Sequence, residues 1–139
     1  MVHGDIADIA GIEHEVLSPW SANSLAAELK VPNGCQFVAE VNTSIAGWCC
    51  CRMIAPEAEL LKLVVRKEYR RQGVASLLLG RLVEELRRQK IESLFLEVRA
   101  ANRGATAFYR QQAFSRVGVR SRYYSNPPDS ALIFCRSIR

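Results

Sequence analysis

No stretch of the 139-residue chain comes near the ~20 consecutive apolar residues that a membrane-crossing helix requires. The first residues, MVHGDIADIAGIEHEVL, carry acids where an export signal needs a basic start followed by an apolar run, so a cytoplasmic protein is expected. Histidine is scarce, only His3 and His14, and no C-x-x-C pair exists, so no metal site is expected. No G-x-x-x-x-G-K-[ST] stretch is present, and no trio of closely spaced glycines, which removes the common nucleotide-binding loops. Repeats, linkers and low-complexity tracts are absent. One domain over residues 1–139 follows, since domains cluster around ~100–150 residues.

What is present suits a packed core. Hydrophobic residues make up 49% of the chain and charged residues 24%, a balance unlike that of disordered or coiled-coil sequences. Five cysteines, three of them consecutive (Cys49, Cys50 and Cys51), read as reduced, half-buried strand residues, in keeping with the cytoplasm. The formal charge is +5, which favours a partner carrying phosphates or carboxylates. The arginines of residues 81–90 alternate with acids, as on a solvated helix face, so nucleic acid is not the expected partner, and neither is a membrane.

Apolar spacing predicts a first helix over residues 5–17, on Ile6, Ile9, Ile12 and Val16, ended by Pro19. Ser21 caps a second helix with Leu25, Ala26 and Leu29. Strands are expected at 35–41, 45–54 and Leu60–Val65. The longest helix follows, with Val74, Leu77, Leu78, Leu82 and Leu86 on one face. Residues 93–98 alternate as a strand, with Leu94, Leu96 and Val98 on one side and Phe95 and Glu97 on the other. A helix over Asn102–Gln112 and strands at 115–122 and 131–135 complete an α+β chain on one mixed sheet.

Between the third strand and the long helix lies Arg66-Lys67-Glu68-Tyr69-Arg70-Arg71-Gln72-Gly73-Val74-Ala75. A basic loop opens a helix whose first N–H groups lack partners, and Gly73 lets a ligand approach the backbone. Arg70 and Arg71 add full charges, and Ala75 keeps the surface open, which together suit a pyrophosphate. An ordinary strand-to-helix connection with surface arginines remains the alternative from these residues alone.

Arg70-x-x-Gly73-x-Ala75, with Leu96-Glu97-Val98-Arg99-Ala100-Ala101-Asn102 and Asn102-x-x-Ala105-x-x-Phe108-Tyr109 downstream, resembles the GNAT acetyltransferase superfamily. Pro19-Trp20-Ser21 and the Tyr123-Tyr124 pair are similar to its ribosomal-protein-alanine N-acetyltransferases, and the likeness spans about residues 5–136. The resemblance implies the GNAT fold: a mixed, mostly antiparallel sheet with a splayed central strand pair and flanking helices. It implies acetyl-CoA as co-substrate, without a metal, and transfer of acetyl to a primary amine. The foremost acceptor is a protein N-terminus such as that of a ribosomal protein; a small amine, or acyl-CoA binding without catalysis, are the rivals.

By the same resemblance, Leu63, Val64 and Val65 bind the pantetheine and thioester. Arg70, Arg71, Gln72, Gly73, Val74, Ala75 and Ser76 bind the pyrophosphate, and Asn102 contacts the cofactor. Glu97 accepts a proton, Tyr109 donates one, and Trp20, Tyr123 and Tyr124 line the acceptor groove. Each residue also has a plainer role open to it. Glu97 suits the solvent side of its strand, Tyr109 suits helix-to-sheet packing, and Asn102 suits a helix cap. Trp20 suits a core anchor, and the tyrosine pair suits half-buried strand aromatics. Three positions depart from the pattern: Lys62 where Asn is usual, Ala113-Phe114 for Gly-Phe, and Asn126-Pro127-Pro128-Asp129 for an acidic segment. Lys62 either stands beside the acceptor channel, where it repels an ammonium, or points away.

Overall fold

A computed structural model describes residues 1–16 and 18–139; Leu17, the last residue of the expected first helix, lies outside them. The chain forms α1 (Ile6–Glu13), α2 (Ala22–Leu29), β1 (Gly34–Val41), β2 (Ser44–Ile54), β3 (Glu57–Val65), α3 (Val74–Arg88), β4 (Ser93–Arg99), α4 (Arg103–Gln111), β5 (Ser115–Ser125) and β6 (Pro128–Ser137). The strands make one sheet in the order β1-β2-β3-β4-β6-β5. Only β3 and β4 run parallel; the other four neighbouring pairs are antiparallel. The expected order of helices and strands therefore holds, as does the mixed, mostly antiparallel sheet.

Two cores lie on opposite faces. The larger places α3 and α4 against the sheet through Leu78, Leu79, Leu82, Leu86, Tyr109 and Phe134. The smaller gathers Ile6, Ile9, Ile12, Leu25, Trp48 and Val64 under α1 and α2. β2 is covered on both faces, so Cys49, Cys50 and Cys51 are fully buried, where half-burial was expected. Leu77 departs from expectation too: it is 70% exposed. At 100° per residue it lies nearly opposite the stripe formed by Val74, Leu78, Leu79, Leu82, Val83 and Leu86. The strand expected from Leu60 begins at Glu57, because Ala58 and Leu60 already alternate inward.

One irregularity shapes the sheet. Lys62 pairs with Cys50 and Leu60 with Cys51, so Leu61 is an extra residue on β3. This β-bulge turns two successive side chains, Leu61 and Lys62, to the α1–α2 face, while Leu60 and Leu63 face the larger core. Bulges bend their strand and increase its twist. Parallel pairing with β4 covers only Glu57–Leu60 against Ser93–Leu96 and stops at the bulge. Beyond it β3 stays with β2 and β4 stays with β6, and the two central strands part. The expected splayed pair thus has a local cause.

Ala113 keeps a left-handed backbone, φ 67°, at a cost of about 1–2 kcal/mol relative to glycine. The turn is held by the Phe114 N–H, which donates to the Tyr109 carbonyl at 3.0 Å, and by burial of the Phe114 ring.

Burial raises the Cys49 and Cys51 thiols from an ordinary 9.0 to about 12. The native state then holds protons that the unfolded chain releases above pH 9, so the thiols' contribution to stability is constant below pH 9 and falls as pH rises toward 12. The slope reaches up to about 1.4 kcal/mol per pH unit for each thiol. Urea midpoints measured from pH 7 to 11 check this, and a flat profile above pH 9 contradicts it. At pH 8 a thiol reagent labels at most the half-buried Cys35 and Cys135 of the folded protein, against all five in urea.

Candidate active site

The parting of β3 and β4 opens a cleft of about 630 Å³. Its walls bring together Trp20, Val64, Arg70, Glu97, Asn102, Tyr123 and Tyr124, seven residues singled out from sequence, although more than a hundred positions separate the first from the last. Hydrogen-bonded pairs alternate along an antiparallel ladder. The Arg66 N–H donates to the Ala46 carbonyl at 2.8 Å, so Arg66 and Val64 address β2, and the backbone groups of Leu63 and Val65 address the gap. The Val65 carbonyl is met there by Arg70 Nε at 3.1 Å. Arg70 therefore ties the loop to the strand end and forms cleft wall.

The loop beyond Arg70 enters α3 through two left-handed residues, Arg71 at φ 62° and Gly73 at φ 82°. Gly73 is the N-cap, with no side chain to satisfy the helix start. Among the described residues the N–H groups of 71–76 make no backbone bond outside the helix, and the helix's own first bond comes from the Leu77 N–H. A Cβ on Gly73 would meet nothing within 4 Å, so space lies open in front of these donors. Free N–H groups at the positive end of a helix dipole, with open space before them, fit a pyrophosphate. The gap between β3 and β4, with the Leu63 backbone groups and the Val65 N–H on one side, fits an extended pantetheine arm.

Glu97 projects from β4 onto the cleft side of the sheet, half-buried, and Arg120 Nε approaches its Oε1 at 3.1 Å. Tyr109 lies on the other side of β4, in the larger core, its ring edge-on to Phe108 and Phe114 at 5.3 and 5.4 Å. It does not share the cleft wall with Glu97. Burial, and secondarily Cys49, push its phenol well above the ordinary value, so it holds its proton at neutral pH. Asn102 caps α4, its Oδ1 accepting the Ala105 N–H at 3.1 Å, while it also borders the cleft. Arg99 stacks on Tyr124 at 4.1 Å and donates to the carbonyls of Asn126 and Pro127, fixing the altered 126–129 segment to the end of β4.

A carboxylate outside the sequence-derived set organises the opposite wall. Glu13 is fully buried. Its Oε1 accepts the Trp20 N–H at 2.8 Å and pairs with Lys62 Nζ at 2.9 Å; its Oε2 accepts Trp48 Nε1 at 3.1 Å. Lys62 also donates to the Ser18 carbonyl at 2.7 Å and lies 5.6 Å from the Trp20 ring centroid. The departure at Lys62 is thus answered by an anion that neutralises it on the cleft wall. The signal was present in the sequence, because Glu13 stands four residues after Ile9 on the apolar stripe of α1.

A loop that fits a pyrophosphate beside a gap that fits an extended pantetheine arm suits a protein that works on a coenzyme A thioester. The sequence pattern of the acetyltransferase (GNAT) family matches residues 5–114, and the chain belongs to that family. It is 32% identical over 106 residues to the [ribosomal protein bS18]-alanine N-acetyltransferase of Escherichia coli K12, covering 76% of this chain and 71% of that protein. The enzyme of the same name from Haemophilus ducreyi is 31% identical over 117 residues, covering 82% of this chain and 78% of that one. The crystal structure of the Escherichia coli ribosomal-protein-S18-alanine N-acetyltransferase superposes with a TM-score of 0.91 at 28% identity, over 99% of this chain and 90% of the other. Ard1 of Thermoplasma volcanium shares the fold, with a TM-score of 0.91 at 24% identity over 100% and 95% of the two chains. The protein is an acetyl-CoA-dependent N-acetyltransferase. No described helix is long and apolar enough to cross a membrane.

Two outcomes follow from this geometry. Coenzyme A raises the Tm with the logarithm of its concentration above the Kd, because it binds the native state alone. Gly73→Val places a β-branched side chain at φ 82° in front of the free N–H groups and removes that rise, whereas an unchanged rise contradicts the cradle. Lys62→Met leaves Glu13 buried without its cation and lowers stability in urea by about 3–5 kcal/mol. The double variant Glu13→Gln/Lys62→Met recovers most of the loss; no recovery means that the pair is not the cause.

Proposed function

We propose that the protein acetylates the N-terminal α-amine of a protein, in the manner of the ribosomal-protein-alanine enzymes it is similar to, with Glu97 as proton acceptor and Tyr109 as proton donor. The observation that carries this reading is the position of Glu97, on the cleft wall just beyond the point where β3 and β4 part, facing Trp20, Tyr123 and Tyr124. Acetyl-CoA, when bound, supplies an activated acetyl thioester. The residues supply the rest. An α-amine has a pKa near 8 and is mostly protonated at neutral pH, so Glu97 takes its proton before attack. The Val65 N–H, directed into the gap, donates to the carbonyl oxygen as that oxygen gains charge. To Tyr109, kept protonated on the α4 side of the sheet, we assign the proton taken up by the departing thiolate, which requires the sulfur to reach through the β3–β4 gap to that side. Loop residues 71–76 hold the pyrophosphate, and Trp20, Tyr123 and Tyr124 hold the amine-bearing segment. Acids and bases balance along the cleft, Glu15, Glu59 and Glu97 against Lys62, Arg70 and Arg99, which suits a peptide backbone better than a polycation. Five free cysteines agree with work in the cytoplasm, where thiols stay reduced.

Mass spectrometry of a peptide library incubated with protein and acetyl-CoA identifies the accepted N-termini, and acetylation of free small amines in place of every peptide removes the reading. On an accepted peptide, Glu97→Gln lowers the rate by about 10²–10⁴ near neutral pH, and the deficit shrinks above pH 8 as more substrate arrives neutral. Tyr109→Phe shows a defect that higher pH does not rescue. A folded Glu97→Gln variant with unchanged rates from pH 6 to 9 eliminates Glu97 as the base.

A further inference from the structure

Arg120 has no part in the chemistry described above, yet it sits between two groups assigned to the acceptor. Its Nε is 3.1 Å from Glu97 Oε1, and its guanidinium carbon is 5.4 Å from the centre of the Tyr123 ring. In a regular strand residues 120 and 123 point to opposite faces. Here Arg120 pairs with Ala131 and Tyr124 with Asp129, so Ser121, Arg122 and Tyr123 stand opposite Ser130 alone. Arg122 takes the left-handed conformation, φ 53°, and the distorted strand brings Arg120 and Tyr123 to one side. A carboxylate and an aromatic face together make a cation site, since each attracts positive charge. Here the chain's own guanidinium fills it.

The same pair divides two cavities. A second cavity of about 510 Å³ lies along Arg52, Glu57, Glu59, Phe95, Glu97 and Arg120, and it shares Glu59 and Glu97 with the cleft. Arg120 borders the second cavity only, so its guanidinium on Glu97 stands at the boundary between them. The Arg120 side chain is 57% exposed, against 21% for Glu97. An ion pair so placed is weak, and its arginine is free to swing into water.

We propose that Arg120 is a specificity-determining residue that stands in for the acceptor's ammonium in the free protein. The incoming α-ammonium displaces the guanidinium from Glu97 and Tyr123, takes its place against the same carboxylate, and frees Glu97 to accept its proton. Acceptors that bring a well-placed cation are admitted, and neutral or poorly seated ones leave Arg120 where it is. This rests on the reading of Glu97 and Tyr123 as acceptor-side groups.

The test follows binding and turnover separately. Alaninamide, an α-ammonium without a carboxylate, is titrated into wild type and Arg120→Ala, with ring resonances of Tyr123 observed by NMR and folding checked by thermal melts. Arg120→Ala binds it about two- to fivefold more tightly, the range expected when an exposed ion pair no longer competes. Methylguanidinium refills the vacated site, competing with alaninamide more strongly in Arg120→Ala than in wild type. Glu97→Gln/Arg120→Ala loses the gain. With an acceptor peptide, the Arg120→Ala change lies in a lower KM. Equal or weaker alaninamide binding by Arg120→Ala overturns the proposal whatever the turnover shows. Tighter binding, with no peptide acetylated by either protein, supports the role of Arg120 and overturns the N-terminal acetyltransferase reading instead.

Discussion

The bulge at Leu61 is the constraint on which the site depends. One extra residue ends the pairing of β3 with β4 after four positions, bends β3 away, and leaves the backbone of Leu63 and Val65 without strand partners. The same extra residue reverses the alternation of side chains, so that Lys62 points to the α1–α2 face. Without it Lys62 would enter the larger core among Leu60, Leu79 and Leu94, where an unpaired ammonium is costly. Cleft and cleft wall thus share one origin.

Glu13 extends that dependence to the helices. It reaches from the end of α1 to the side chains of Trp48 on β2 and Lys62 on β3 and to the backbone of Trp20. Ser18 and Trp20, ahead of α2, are thereby fixed to the sheet next to the cleft. A buried pair of this kind is a poor source of stability compared with apolar packing, because desolvation offsets attraction. Its value here is positional: it sets where Trp20 stands.

Much of this was legible in the sequence. The order of elements, the long helix entered through Gly73, and the alternation around Glu97 are local patterns, and local patterns survive folding. Leu77 departs because its spacing of three from Val74 admits it to that face, whereas the buried stripe centres near Leu82, on nearly the opposite side of the helix. The cysteines were read as half-buried because a single strand's pattern does not reveal that helices cover both faces. Tyr109 was legible as an aromatic packed against the sheet, but its place on the far side of β4 from Glu97 depends on where α4 docks. Arg120 left no trace, since its meeting with Glu97 and Tyr123 arises from strand register, and no local spacing encodes a three-against-one mismatch. Glu13 was legible in principle, as an acid on an apolar face, but its partners lie up to 49 residues away.

Interior edges carry a hazard that exterior edges share. A strand whose N–H and C=O groups lack partners is a template for any extended chain that reaches it. β3 and β4 present two such edges to each other across the cleft, at the centre of the sheet where no helix can cap them without closing the site. The charged groups lining the opening, Lys62, Arg70, Glu97 and Arg99, make it unwelcoming to the apolar β-forming segments that drive aggregation. A ligand that lies between the edges and bonds to both acts as a missing strand. Its departure returns the protein to a state in which the sheet is, by design of one bulge, permanently incomplete.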